Sequence, residues 1–339
     1  MERVISNEKV TDEIQAENQD GSFTYVENKL RPLCFNEFPG QEKIVEKLKI
    51  FVGAAKQRKE PIDHILFCGP PGLGKTTLSQ IIAAEMGVPC KTTSGPALDS
   101  KGKVAALLTS LPPNSVLFID EIHRLNRTIE EYFYSAMEDY YIDLITGEGL
   151  GAHAMQFKLA PFTLIGATTR AGLLNAPLRD RFGIVERLSF YDKLNLEKIL
   201  QRSARILKME LLSEGASEIA CRSRGTPRIA NRLLKRVRDY AQVKSQTAIS
   251  GDLARYALDE LEVDRMGLDT MDRQILKLIS EKFSGGPEGI ETLAAALNEE
   301  KETLEEVYEP FLMQQGLLQK TPRGRMITQR AQQHLDQLG

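Results

Sequence analysis

Gly69-Pro70-Pro71-Gly72-Leu73-Gly74-Lys75-Thr76-Thr77 governs how the rest of the 339-residue chain is read. It fits G-x-x-x-x-G-K-[ST], a loop that cradles phosphate. The glycines let backbone N–H groups turn inward around phosphate oxygens, and a helix starting at Lys75 aims its positive dipole end at them. Lys75 then reaches the β- and γ-phosphates, and the Thr76 hydroxyl is offered to Mg²⁺. The flanks supply the required context: Ile62–Cys68 reads as a short buried strand, and Thr77–Met86 carries apolar residues at helical spacing. Strand, loop and helix in that order make a nucleotide site.

About forty residues on, Val116-Leu117-Phe118-Ile119-Asp120-Glu121 is an apolar strand ending in two acids. Beside a phosphate loop it reads as a Walker B motif. Asp120 would hold Mg²⁺, and Glu121 would orient or deprotonate the attacking water. His123 reads as a structural hydrogen-bonding residue. Gly166-Ala167-Thr168-Thr169-Arg170 follows the next strand at the same sheet edge, and either Thr168 or Thr169 could sense the γ-phosphate. Leu178-Arg179-Asp180-Arg181-Phe182-Gly183 sets two arginines around an acid. On chemistry alone that is either a surface ion pair or an arginine finger.

The net charge of −3 excludes a protein coated in positive charge, so any nucleic-acid contact must be a local patch. Cys34, Cys68, Cys90 and Cys221 lie far apart, which disfavours a zinc site or disulfide framework and suggests scattered core thiols. There is no apolar run of membrane-spanning length and no signal peptide, so a cytoplasmic location is expected.

Residues 1–24 are acidic and polar and are expected to be a disordered tail. Residues 25–191 then alternate strands and helices, which predicts an α/β domain with a mostly parallel sheet. Within it, Tyr140–Leu144 and Met155–Leu159, joined by Gly147-Glu148-Gly149-Leu150-Gly151, suggest an inserted β-hairpin. Residues 192–262 read as helical throughout, with Thr226 as N-cap and Pro227 at the first position of one helix. Residues 265–339 give helices at Thr270–Glu281, Glu291–Leu297 and Glu302–Gln315. Leu317–Leu318 and Met326–Ile327 then flank a turn, a pattern that fits a winged helix.

GPPGLGKTT, LFIDEIHRL, LIGATTRAG, LRDRFG and GTPRIANRLLKRVRD together resemble the AAA+ ATPases and, more narrowly, the RuvB family of bacterial Holliday-junction branch-migration motors. The likeness runs from about residue 28 to the end, including LMQQGLLQKTPRGRMIT. It implies an α/β P-loop large domain, an all-helical lid and a winged-helix head, assembled as an ATP- and Mg²⁺-dependent hexamer on double-stranded DNA. It further implies that Leu30, Arg31 and Tyr191 line the adenine side of the pocket. Gly72, Gly74, Lys75, Thr76 and Thr77 would bind phosphates and Mg²⁺, with Glu138, Asp139 and Tyr140 added to the nucleotide-contacting set. Arg181, rather than Arg179, matches the finger acting in trans, and Arg228 matches sensor 2. The hairpin matches the segment that docks on a RuvA-like junction-binding protein, and a RuvC-like resolvase is a further implied partner.

Two departures stand out. Gly149-Leu150-Gly151-Ala152-His153-Ala154 replaces the family's usual proline and Ala-Arg-Ser-like run, and Lys320 stands where an arginine is common. The charge pattern of the C-terminal segment is also uneven. Glu302, Glu305, Glu306 and Glu309 would repel phosphates, whereas Lys320, Arg323 and Arg325, with Lys301, suggest a compact cationic group that grips DNA backbone without reading sequence. A clamp-loader subunit is disfavoured because its finger is typically Ser-Arg-Cys and its last domain a collar. A GTPase is disfavoured because Asn28-Lys29-Leu30-Arg31 lacks the Asp of N-K-x-D. A non-hydrolysing scaffold conflicts with Lys75, Asp120, Glu121 and Arg181 together.

Overall fold

The computed structural model describes residues 29–146 and 153–338. The acidic tail and the hairpin tip therefore lie outside the described residues. Strands β1 (Ile65–Cys68), β2 (Cys90–Ser94) and β3 (Val116–Asp120), with β6 (Thr163–Thr168) and β7 (Ile184–Arg187), form a parallel sheet in the order β2-β3-β6-β1-β7. Between β3 and β6, β4 (Tyr141–Thr146) and β5 (His153–Lys158) form a separate antiparallel hairpin, pairing Tyr141 with Lys158. Strands β1 and β6 are buried along their whole length, as a sheet covered on both faces requires.

The order of strands explains the site. β3, β6 and β1 are adjacent, so the loops after them leave the same carboxyl edge of the sheet. Cys68 pairs with Thr168 and Ile119 with Gly166, which levels the three strand ends. The sequence reading missed β2 and β7. Both are edge strands: no residue of β2 (Cys-Lys-Thr-Thr-Ser) is fully buried and β7 (Ile-Val-Glu-Arg) buries only alternate residues, so neither gives an apolar run.

The lid packs helices Lys193–Ile206, Ser213–Cys221, Pro227–Val243 and Gly251–Glu260 into the core shared with one face of the sheet. It is not wholly helical as expected. β8 (Glu210–Leu211) and β9 (Ala248–Ile249) form a two-residue parallel pair, too short to leave a periodic signal. Pro227 does open its helix, but Thr226 makes no side-chain cap and donates instead to the Ser223 carbonyl at 3.3 Å.

The C-terminal unit has its own core, from Leu268 to Leu335. Its helices precede a wing of β10 (Leu318–Thr321) and β11 (Gly324–Ile327), antiparallel and joined at Pro322-Arg323. A closing helix, Gln329–Leu338, follows the wing and had no counterpart in the sequence reading. The segment Lys301–Gln314 is helical but contains a π-helical stretch at Leu304–Tyr308. Cys221 is exposed, so the thiols are not all core residues. Among the described residues, no helix is long and apolar enough to cross a membrane.

Candidate nucleotide site

A cavity of about 400 Å³ opens where the P-loop, the N-terminal segment and the lid meet, a volume that suits a nucleotide-sized ligand. Gly72, Gly74, Lys75, Thr76, Thr77, Asp120 and Glu121 line one end. The helix Lys75–Met86 begins here with left-handed Gly74 as its N-cap, so its unpaired N–H groups face the cavity. Glycine is required sterically at two positions. Gly72 has φ +79°, and a Cβ there would come within 2.9 Å of Arg228 Cβ. Gly74 has φ +101°, and a Cβ there would press on the Phe38 ring at 3.0 Å.

Lys75 is buried, and its Nζ donates to the carbonyls of Gly69 at 2.7 Å and Pro70 at 2.9 Å. Burial pushes its ammonium pKa down, while the Glu121 and Asp120 carboxylates pull it back up. A compact, buried cation is what polyphosphate binding needs. Asp120 accepts from the Glu121 backbone N–H at 3.0 Å through one oxygen. Its carboxylate and the Thr76 hydroxyl form a hard oxygen donor set of the kind Mg²⁺ takes.

Glu121 sits in the left-handed region at φ 47°. Its Oε2 accepts from Thr169 Oγ1 at 3.3 Å and lies 3.2 Å from His123 Nδ1. Burial lowers the His123 pKa below its ordinary value, so the ring is neutral near pH 7. Thr168 is fully buried, hydrogen-bonded to His123 Nδ1 at 3.0 Å and accepting from the Arg170 N–H at 2.9 Å. Neither threonine lines the cavity itself; both stand behind Glu121.

The other end of the cavity joins the domains. Leu30, Arg31 and Tyr191 line it. The buried Tyr191 hydroxyl donates to the Leu73 carbonyl at 3.1 Å, and burial raises its pKa. Arg228 lines the cavity from the lid, with its backbone N–H 3.4 Å from the Gly72 carbonyl. Sequence reasoning missed Phe38, Arg202, Asn231 and Lys235. Arg202 Nη1 donates to the Leu30 carbonyl at 2.8 Å and Nη2 to Glu37 Oε2 at 2.6 Å. No spacing rule could pair residues 172 apart in sequence; only the lid's docking does so.

Arg181 does not line this cavity. Its Nη1 donates to the Pro177 carbonyl at 2.7 Å and Nη2 to Glu138 Oε2 at 3.0 Å, and its guanidinium lies 4.5 Å over the Tyr134 ring. Its Nε is buried with no hydrogen-bond partner. Glu138, Asp139 and Tyr140 are likewise absent from the cavity of their own chain. Arg179 makes a solvated contact with Asp180 at 3.8 Å.

The cationic group expected on the wing is corrected by the structure. Arg325 is buried, with Nε donating to Glu309 Oε1 at 2.5 Å and Nη2 to Glu305 Oε1 at 2.9 Å. Lys320 lies 3.5 Å from Glu305 and 4.0 Å from Glu309. Lys301 pairs with Glu291 at 3.1 Å, across exposed surface. Arg323, exposed at the wing tip, makes no ion pair among the described residues. Of the glutamates that seemed to forbid DNA contact, Glu305, Glu306 and Glu309 neutralise the protein's own cations instead.

A phosphate loop, a Walker B strand and a lid arginine around one interdomain cavity define a P-loop ATPase of the AAA+ class. The chain belongs to the RuvB family. The family model for the Holliday junction DNA helicase RuvB P-loop domain matches residues 30–188, that for the RuvB AAA lid domain residues 191–264, and that for the RuvB C-terminal winged helix domain residues 265–336. The Holliday junction branch migration complex subunit RuvB of Bdellovibrio bacteriovorus is 69% identical over 303 residues, covering 89% of this chain and 92% of that protein. Its counterpart in Dehalococcoides mccartyi is 54% identical over 334 residues, covering 98% and 93%. Among solved structures, the Thermotoga maritima RuvB Holliday junction branch migration motor superposes with a TM-score of 0.83 at 49% identity, covering 91% of this chain and 98% of that one.

Proposed function

We propose that this chain is the ATP-hydrolysing motor subunit of a ring, a hexamer by family resemblance, that drives branch migration of Holliday junctions in recombination and repair. One observation carries the reading: the nucleotide cavity holds Lys75, Asp120, Glu121 and Arg228 of one chain, while Arg181 lies outside it with a buried, unpartnered Nε. A second copy of the chain can bring Arg181 to this site.

In this reading ATP is the substrate, with Leu30, Arg31 and Tyr191 around the adenine and Gly72, Gly74, Lys75, Thr76 and Thr77 around the phosphates. Thr76 and Asp120 would hold Mg²⁺, which when bound neutralises charge developing on the β- and γ-phosphates. Glu121 accepts the proton of the attacking water, and Thr169 and His123 fix its carboxylate orientation. Of the two sensor candidates, Thr169 is favoured because it touches Glu121, whereas Thr168 supports His123 and Arg170. Arg181 of the neighbouring subunit, brought in with Glu138, Asp139 and Tyr140 from the same face, stabilises the transferring phosphoryl group. Arg228 converts nucleotide state into the angle between residues 25–191 and 192–262. The unit of residues 265–339 grips duplex DNA through its wing, Arg323 foremost, with Lys320 and Lys301 as further cations.

The hairpin β4–β5 is read as the docking element for a RuvA-like junction-binding protein. Met155 and Phe157 are exposed on it and available to a partner. A RuvC-like resolvase would act on the same junction. The deciding experiment is ATP-dependent branch migration on a synthetic four-way junction, with and without the junction-binding partner. Junction movement that needs ATP and is abolished by Lys75→Ala supports the reading; movement unaffected by that substitution sinks it.

A further inference from the structure

The acidic helix of the C-terminal unit does not face solvent along its whole length. It docks on the loop that follows β6. Arg170 Nε lies 3.0 Å from Glu306 Oε1, and Nη2 lies 3.6 Å from Glu305 Oε2. That Nη2 is buried without a hydrogen bond, so a shift of a few tenths of an ångström would complete the pair. Arg170 is also tied to the catalytic side. Its N–H donates to Thr168 Oγ1 at 2.9 Å, and the intervening Thr169 donates to Glu121 at 3.3 Å. In the other direction, Glu305 Oε1 meets Arg325 at 2.9 Å and Lys320 at 3.5 Å. The path from Glu121 to the wing lysine therefore has one loose link, the 3.6 Å approach of Arg170 to Glu305.

The same unit is fastened to the lid quite differently. Arg224 is buried, donates to the Gly267 carbonyl at 2.9 Å, pairs with Asp269 at 2.6 Å and with Asp272, and lies 4.9 Å from the centre of the Phe311 ring. A buried guanidinium with this many partners is hard to part, whereas the Arg170, Glu305 and Glu306 side chains are each about a quarter to a third exposed. If the firmly held winged-helix unit follows the lid as the angle between large domain and lid changes, the Arg170 contact opens or closes.

We propose that Arg170 is a positioning residue through which DNA on the wing and nucleotide in the cavity sense each other, acting on Glu305 and Glu306. The inference rests on the motor reading above. The two states are the pair made and the pair open. A ligand that favours one state over the other must affect the second ligand's affinity by an equal factor.

The test uses the full chain, a random-sequence DNA duplex, and ADP or a non-hydrolysable ATP analogue. Duplex affinity is measured with and without saturating nucleotide, and nucleotide affinity with and without duplex. Wild type is expected to show the same ratio in both directions, within the 5- to 150-fold range usual for such coupling. Glu306→Gln should bring the ratio to within about twofold of one, with each ligand's separate affinity unchanged to about twofold, because Glu306 touches neither ligand. The double exchange Arg170→Glu with Glu306→Arg should restore the ratio, which a merely structural role for either residue does not predict. A wild-type ratio in Glu306→Gln, no restoration in the folded double variant, or a wild-type ratio of one would each overturn the proposal. If wild type fails to bind duplex at all, the motor reading falls and this inference with it. If binding is intact and only the ratio is unaltered by Glu306→Gln, the motor reading stands alone.

Discussion

Arg228, on the lid, stands so close to Gly72, on the phosphate loop, that a methyl group added to the glycine would come within 2.9 Å of the arginine's Cβ. Two domains thus meet at the point where phosphate would bind, and no third group separates them. Gly72→Ala must strain a left-handed backbone and push the lid away at once. A left-handed non-glycine residue costs of order 1–3 kcal/mol, so nucleotide affinity measured by calorimetry should fall about 5- to 150-fold. Affinity within twofold of wild type would show that the lid does not close here.

Arg181 and Glu138 hold each other at 3.0 Å, and neither lines the cavity of their own chain. Arg181→Ala should leave nucleotide affinity nearly unchanged and remove most turnover, by about 10³-fold or more if it acts as a finger. Mixing Arg181→Ala with Lys75→Ala chains should restore part of the ATPase, since each keeps what the other lacks. No recovery at any mixing ratio would count against a site shared between copies.

Among the described residues, Glu121 is the one carboxylate that both lines the cavity and touches Thr169. Glu121→Gln is expected to bind ATP with near-normal affinity and hydrolyse it about 10²–10⁴-fold more slowly, the usual worth of a general base. Thr169→Val should lower turnover at unchanged affinity by releasing Glu121, and Thr168→Val should act chiefly on stability, because its hydroxyl is buried against His123. Equal effects of the two valines on turnover would remove the distinction between them.

Arg325 and Arg323 sit two residues apart on the wing and should behave in opposite ways. Arg325→Ala leaves Glu309 buried without its partner and should cost about 3–5 kcal/mol of stability, read as a lowered denaturation midpoint of the C-terminal unit. Arg323→Ala should leave stability unchanged, weaken duplex binding evenly across sequences and flatten its salt dependence by about one unit of slope. A sequence-selective loss would argue against backbone gripping.

The sequence by itself determined the chemistry that depends on local order. A glycine loop between strand and helix, and an apolar strand ending in Asp120-Glu121, have a meaning set by a few adjacent residues, and the structure shows each at the expected sheet edge. The hairpin was legible for the same reason, with its two strands shifted only by one or two residues. Edge strands β2 and β7 were not, because half-exposed strands lack an apolar run. The fate of charges was the least legible. Arg325 and Arg323 look alike in sequence, yet one is buried between carboxylates and the other is exposed at a turn. Arg202 and Arg224 lie in no motif, the motif around Arg170 says nothing of its partners, and each of the three meets those partners in another domain. A charged side chain's function is set by which partners lie within a few ångströms, and those partners come from distant chain segments that only tertiary packing brings together.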